Sequence, residues 1–322
     1  IEGYRNFCNK LWNASRFVMM QCEDQDTGLT DAPVTLSDAD EWIIGRLQQV
    51  EAEVAKHFAD YRFDLAAQTL YEFTWNEYCD WYLEFTKPAL KADDEAAQRG
   101  TRRTLVRVLE ALLRLLHPII PFITETIWQR LAPMALADVQ STDSILGRPY
   151  PAFDESKINT HAIESVEWLK QVILGVRRIR AEMDIAPSKS LDVLVTHASE
   201  DERARFERFS ALLNSVGRIG RVTALNEGEP LPEAAMALVG ELQIHIPLAG
   251  LIDKKAELAR LDREIERLTK ELEKAQAKLA NPKFADKAPP DVVQQERERE
   301  ISFQTQLHDL SGQRTRISQI SG

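Results

Sequence analysis

Along EGYRNFCNKLWNASRFVMM, Phe7, Leu11, Ala14 and Val18 recur at spacings of three and four, which predicts a helix with one apolar face. The polar, turn-rich CEDQDTGLTDAP ends it. A second helix, TLSDADEWIIGRLQQVEAEVAKHF, opens on Ser37 as N-cap, with Asp40 and Glu41 in the first turn where the helix dipole favours carboxylates. Asp64 is expected to cap a third, LAAQTLYEFTWNEYCDWYLEFTK, which Pro88 stops. A fourth, RRTLVRVLEALLRLL, meets HPIIPFITETIWQRL, where Pro118 and Pro121 break one helix and Thr124 starts another. Helices with such short links make residues 1–137 an α-helical bundle.

Residues 138–158 read as a linker, with STDS, GRPYP and no periodicity. A helix follows over about 161–183, containing VILGVRRIRAEM. Then LDVLVTH alternates at period two, EDERARFERFSALL is helical, and GRVTAL and ELQIHIPL alternate again. Residues 159–250 are therefore expected to form a small α+β domain.

Beyond it Leu258, Leu261, Ile265, Leu268, Leu272, Ala275 and Leu279 trace an unbroken heptad seam. NPKFADKAPP interrupts the helix with Pro282, Pro289 and Pro290. A second helix returns with Val293, Phe303, Leu307, Leu310 and Ile317 on one face, diluted by Glu296, Glu300 and Arg314. Residues 251–322 thus predict an antiparallel coiled-coil hairpin, whose first arm of roughly 28 residues reaches about 40 Å. The chain as a whole is expected to be mainly α.

The 322 residues carry a formal charge of −11, with 28% charged positions and six Trp, which argues against disorder. The charge is uneven. Residues 251–322 hold 14 Lys+Arg and 13 Asp+Glu, leaving 26 against 38 for residues 1–250. An acidic chain is a poor general polyanion binder, so any nucleic-acid contact must come from local basic surfaces. The longest apolar stretch, LLRLLHPIIPFI, contains Arg114 and His117 and is far short of a membrane span. Three cysteines without a CxxC predict neither a disulfide framework nor a zinc site, and a reducing compartment fits them. The chain opens on Ile1 in what reads as mid-helix, so it is expected to be part of a longer protein.

There is no GxGxxG, P-loop, GxSxG or metal-ligand spacing, and no catalytic residue is assigned. Glu77 and Asp80 beside Trp75 and Trp81 read as structural, as does His117 before Pro118. Tyr71, Phe73, Trp75, Tyr78, Trp81 and Tyr82 read mostly as core, with one exposed ring free to stack on a nucleotide. Arg5, Asn9, Asn13 and Arg16, with Lys10 beside them, mark a polar stripe on the first helix: a ribose–phosphate contact face or a solvated face. Arg177, Arg178 and Arg180 pose the same choice. On the heptad helix Arg260, Arg263, Arg267, Lys270 and Lys274 occupy c and f positions, continued by Lys278. They form a phosphate-tracking ridge or an ordinary solvated back. Lys283, Phe284 and Lys287 give it a basic tip, where Phe284 has no seam to pack against.

Six segments, EGYRNFCNKLWNASRFV, LSDADEWIIGRL, FTWNEYCDWYLEFTKPAL, HPIIPFITETIW, VRRIRAEMDIAPSK and NPKFADKAPPDVV, occur in the order seen in bacterial valyl-tRNA synthetases. The resemblance covers essentially the whole chain. HPIIPFITETIW is shared with isoleucyl, leucyl and methionyl enzymes, whereas WNEYCDWYLEFTKP and NPKFADKAPP are much more specific. The resemblance implies an anticodon-binding bundle, a connector, and a coiled coil touching the outer corner of tRNA(Val). It turns the arm's two readings towards RNA contact. The family's HIGH and KMSKS motifs and its editing domain have no counterpart here. By the resemblance ATP and Mg²⁺ belong to an N-terminal catalytic domain and this portion alone is inactive; a cytoplasmic location is expected, and nothing in the sequence demands more than a monomer. The alternatives are the equivalent part of an isoleucyl or leucyl enzyme, or a helical scaffold assembling through its coiled coil.

Overall fold

The apolar spacing at the start of the chain becomes helix α1 (Glu2–Cys22) in the computed structural model, which describes residues 2–140, 142–226, 228–248, 254–280 and 290–319. Leu11 and Val18 are fully buried on its inner face. Helix α2 (Asp38–Ala59) opens as expected. Ser37 Oγ accepts from Asp40 N at 3.2 Å and Asp40 Oδ2 accepts from Ser37 N at 2.9 Å, a reciprocal cap. Asp40 is itself buried, and also accepts from Tyr82 OH at 2.7 Å and Thr101 Oγ1 at 3.1 Å. Burial raises its pKa while these hydrogen bonds pull it back.

The third helix departs from expectation three times. Helix α3 (Phe63–Glu72) has Arg62 at its N-cap without a side-chain bond. Asp64 lies inside the first turn, held by the Arg62 guanidinium at 2.7 and 2.9 Å, and does not cap. The period then widens: Phe73–Tyr82 is π-helical, and Leu83 N–H donates to Tyr78 O five residues back. Phe73 and Tyr78, five apart, are both buried, and the wider π turn brings them towards one face. Helix α4 (Leu83–Ala89) contains Pro88 in its last turn, so the proline does not stop the helix before it.

Helix α5 (Glu95–Leu116), capped by Asp94 on Ala97 N at 3.0 Å, starts earlier than expected. Helix α6 (Pro121–Ala135) starts at Pro121, where a missing N–H is harmless, rather than at Thr124. Thr124 Oγ1 instead lies 3.0 Å from Ile120 O and 2.8 Å from His117 Nδ1, closing the turn. Between α5 and α6, buried Glu110 accepts from Trp128 Nε1 at 2.9 Å and Arg114 Nη2 at 2.8 Å. Residues 142–158 form two 3₁₀ turns laid along these helices: Tyr150 OH donates to Leu115 O at 3.1 Å, and Asp154 N to Gln48 Oε1 at 2.8 Å.

The chain divides into two units. The first comprises residues up to Ile173 with Ala204–Gly217. Helix α7 (Thr160–Glu182) contributes its first half here, with Trp42 Nε1 donating to Glu167 Oε1 at 3.0 Å. Helices α8 (Glu200–Arg208) and α9 (Ser210–Gly217) add Phe206, edge-on to Trp168 at 4.9 Å.

The second unit comprises Leu174–Arg203 and the chain from Arg218 onward. Strands β1 (Leu191–Thr196), β2 (Ile219–Ala224), β3 (Ala234–Val239) and β4 (Leu242–Pro247) form one sheet in the order β2-β1-β4-β3. β1 and β2 are parallel and the other pairs antiparallel, with Ala237 opposite Ile244. β3 was not expected, because AAMALV has no polar–apolar alternation. The second half of α7 lies on the sheet closely enough that a Cβ on Gly175 would sit 3.3 Å from that of Ala237.

Helices α10 (Lys254–Leu279) and α11 (Pro290–Gln319) form the coiled-coil hairpin. Gln276–Glu300, Lys278–Glu296 and Asp262–Arg314 pair across it, so the helices run antiparallel. The d positions Leu261, Leu268 and Ala275 are buried, while the a positions are half-buried because one partner helix covers only one flank. Pro290 opens α11 rather than interrupting a helix. Residues 281–289 and the Ile317 side chain lie outside the described residues. Among the described residues no helix is long and apolar enough to cross a membrane.

Candidate nucleic-acid interface

On α1 the buried row points inward and leaves Arg5, Asn9, Asn13 and Arg16 exposed on one outer stripe. Lys10 is diverted. It pairs with Asp80 and lies 4.0 Å above the Trp75 ring, which stacks on Tyr71 at 5.6 Å. Tyr71 in turn stacks on Phe7 at 5.2 Å and keeps 42% exposure, making it the most open ring of a set in which Trp75 is half-buried and the others are buried. Glu77 receives both Nε and Nη2 of Arg46 at 2.8 Å, so the two carboxylates of this region hold helices together.

The three arginines of α7 separate. Arg177 and Arg178 face outward. Arg180 is 6% exposed, its Nη1 donating to Ala186 O at 3.2 Å and its Nη2 to Arg218 O at 2.9 Å. It latches two loops of the sheet unit, and burial lowers its pKa. As a candidate RNA contact Arg180 is corrected, because its donors are occupied by backbone, and the choice between a contact face and a solvated face remains for Arg177 and Arg178 alone.

In the arm, Arg263, Arg267, Lys270 and Lys274 line the outer face opposite the seam. Arg267 pairs with Glu264, Lys270 with Glu266 at 2.6 Å and Lys274 with Glu271 at 2.6 Å. Such exposed pairs along one helix are weak and exchange readily for a stronger anion. Lys278 does not continue the ridge. At a g position it flanks the seam and holds buried Glu296 at 2.8 Å. The Arg260 side chain, Lys283, Phe284 and Lys287 lie outside the described residues.

Two further arginines, Arg103 and Arg107, stand one turn apart on α5. Their signal in the sequence was RRTLVR, a basic pair at i,i+4 with no acid between. Among the described residues no group of three or more His, Cys, Asp or Glu is placed to hold a metal ion.

A family model described as the anticodon-binding domain of tRNA ligases matches residues 40–195, and one described as the valyl-tRNA synthetase tRNA-binding arm matches residues 253–318. The valine–tRNA ligases of Stenotrophomonas maltophilia strains R551-3 and K279a are each 51% identical over 317 residues, 98% of this chain and 33% of theirs. The chain belongs to the valyl-tRNA synthetase family. It spans about a third of the length of the curated relatives it matches and corresponds to their C-terminal part. The outer basic row of α10 falls within the valyl-tRNA synthetase arm match. Arg103, Arg107, Arg177 and Arg178 fall within the anticodon-binding match, and the α1 stripe precedes it.

Proposed function

We propose that this chain is the tRNA-holding portion of a valine–tRNA ligase, binding tRNA(Val) through its anticodon and its outer corner. The observation that carries the reading is the pairing, in one chain, of an anticodon-binding domain with a valyl-type tRNA-binding arm. In RNA, sequence is read from splayed single-stranded bases by stacking and hydrogen bonds, and charge along the backbone supplies reach and affinity. The exposed Arg5, Asn9, Asn13 and Arg16 and the open ring of Tyr71 suit the first task. The outer row of α10 suits the second.

In this reading valine activation, with its ATP and Mg²⁺, belongs to the remainder of a cytoplasmic, monomeric parent, and this portion alone attaches no valine. Tyr4, Tyr61, Phe63 and Phe122 are 82%, 81%, 57% and 88% exposed, at the start of α1, the α2–α3 turn and the start of α6. So much bare aromatic surface at one end of a bundle is what a covering domain of the same parent would bury. The test is binding of this chain to tRNA(Val), tRNA(Ile) and tRNA(Val) with a swapped anticodon at two salt concentrations. Preference for the valine anticodon, with affinity falling steeply as salt rises, supports the reading. Equal binding to all three removes the anticodon from it, and no binding by a folded sample overturns it.

A further inference from the structure

The arginines of α5 are not alike. Arg99 Nε holds Asp26 Oδ2 at 2.6 Å, Arg102 Nη2 donates to Gln98 at 2.6 Å, and Arg114 clamps Glu110. Among the described residues neither Arg103 nor Arg107 has a carboxylate within ion-pair reach, although residues 1–250 hold 38 acidic residues against 26 basic ones. In so acidic a surrounding, two like charges left one turn apart are a departure that helix stability alone does not favour. Partial loss of water, and then the Arg103 charge, push the Arg107 pKa below its usual value.

The loop before α2 sets one of them in position. Gly28, at φ +75°, lies flat on the aliphatic stem of Arg103, and a Cβ there would meet Arg103 Cδ at 2.8 Å and its Cβ at 3.1 Å. That loop is pinned on both sides. Gly28 N and Thr30 Oγ1 donate to Asp26 at 2.9 and 2.7 Å, and Thr27 Oγ1 donates to Met134 O at 2.6 Å. A clamped stem with an uncompensated head is a preorganised anion site, because less side-chain freedom remains to be lost on binding.

We infer that Arg103 and Arg107 form a binding site for the phosphodiester backbone of RNA on the bundle, an assignment that rests on the tRNA-binding reading above. Contacts to phosphate fix register and orientation without reading sequence. The site therefore adds affinity equally for every tRNA and leaves base discrimination to other side chains.

The experiment compares this chain with R103Q, R107Q and, as a charge-matched control in the sheet unit, R221Q, titrated with the same three tRNAs across a salt series. Each α5 variant should bind about 3- to 10-fold more weakly, by the same factor for all three tRNAs, with a log–log salt slope shallower by about 1. R221Q should match the unmodified chain. Melting temperatures of R103Q and R107Q should be unchanged or slightly raised, since a like-charge pair is relieved, and a purely structural role would lower them. If the unmodified chain binds and the folded α5 variants bind as tightly with the same slope, the assignment fails and the tRNA-binding reading stands. If the variants lose only the anticodon preference, the arginines read bases and the backbone assignment fails. If the unmodified chain binds no tRNA, both fall.

Discussion

Glu51 on α2 is 5% exposed, its Oε2 has no hydrogen-bond partner, and burial pushes its pKa up to about 7 against the opposing pull of Lys157 and Arg114. An acid whose folded pKa lies above its unfolded value holds its proton longer in the folded state. Its contribution is therefore present at low pH and is lost as pH rises from about 4.5 to about 7, by up to roughly 3 kcal/mol. E51Q should be more stable than the unmodified chain by about 2 kcal/mol at pH 8, with the gap closing near pH 4.5. Urea unfolding at several pH values checks this, and parallel stability profiles for the two proteins would contradict it. Asp40 is buried too, but Ser37, Tyr82 and Thr101 all donate to it. D40A strands those donors in the interior and should cost about 3 kcal/mol in the same assay, with D40N intermediate.

Gly100 reverses an ordinary helix rule. Glycine to alanine inside a helix normally stabilises by about 1 kcal/mol. Here a Cβ on Gly100 would sit 1.9 Å from Thr35 O, a backbone atom held by the bond from Thr35 N to Ala96 O at 3.0 Å. G100A should therefore destabilise by at least about 2 kcal/mol, and an unchanged or raised melting temperature would show that the loop yields freely. In the arm, K278A leaves Glu296 buried without its near partner and should cost about 1–2 kcal/mol of hairpin stability by hydrogen exchange along α10. K270A removes only an exposed i,i+4 pair and should stay within about 0.5 kcal/mol. Apolar spacing made α1, α2, α5 and the heptad helix legible, since burial of one face dictates that spacing. It could not reveal the π turn at Phe73–Tyr82, whose period differs, nor β3, whose alanines and methionine carry no alternation. The inward turn of Arg180 was also invisible, because RRIR reads as a basic patch until helix phase decides which member faces the sheet. Arg103 and Arg107 were legible as charges but not as a pair lacking counter-ions. That needed the fold to show which acids reach which arginines.

At the scale of the whole chain, the arm in the proposed reading makes backbone contacts alone and every base contact stays on the bundle, beside its own backbone site, which makes a truncation informative. The outer face of α10 offers side chains already engaged by Glu264, Glu266 and Glu271. A polyanion must displace those weak partners, and the arm's contribution then appears mainly as counterion release. Ending the chain after Leu248 removes the arm and leaves the bundle and all four strands. The shortened protein should bind each of the three tRNAs about 10- to 100-fold more weakly, with a shallower salt slope and an unchanged ratio between valine and swapped anticodons. Circular dichroism must show the remaining helices intact for the comparison to hold. An arm that contributed sequence reading would betray itself differently, by a collapse of the anticodon ratio with the slope preserved. Because slope and ratio report charge and base contacts separately, one titration series assigns each element its role, without requiring the absolute affinity to be known beforehand.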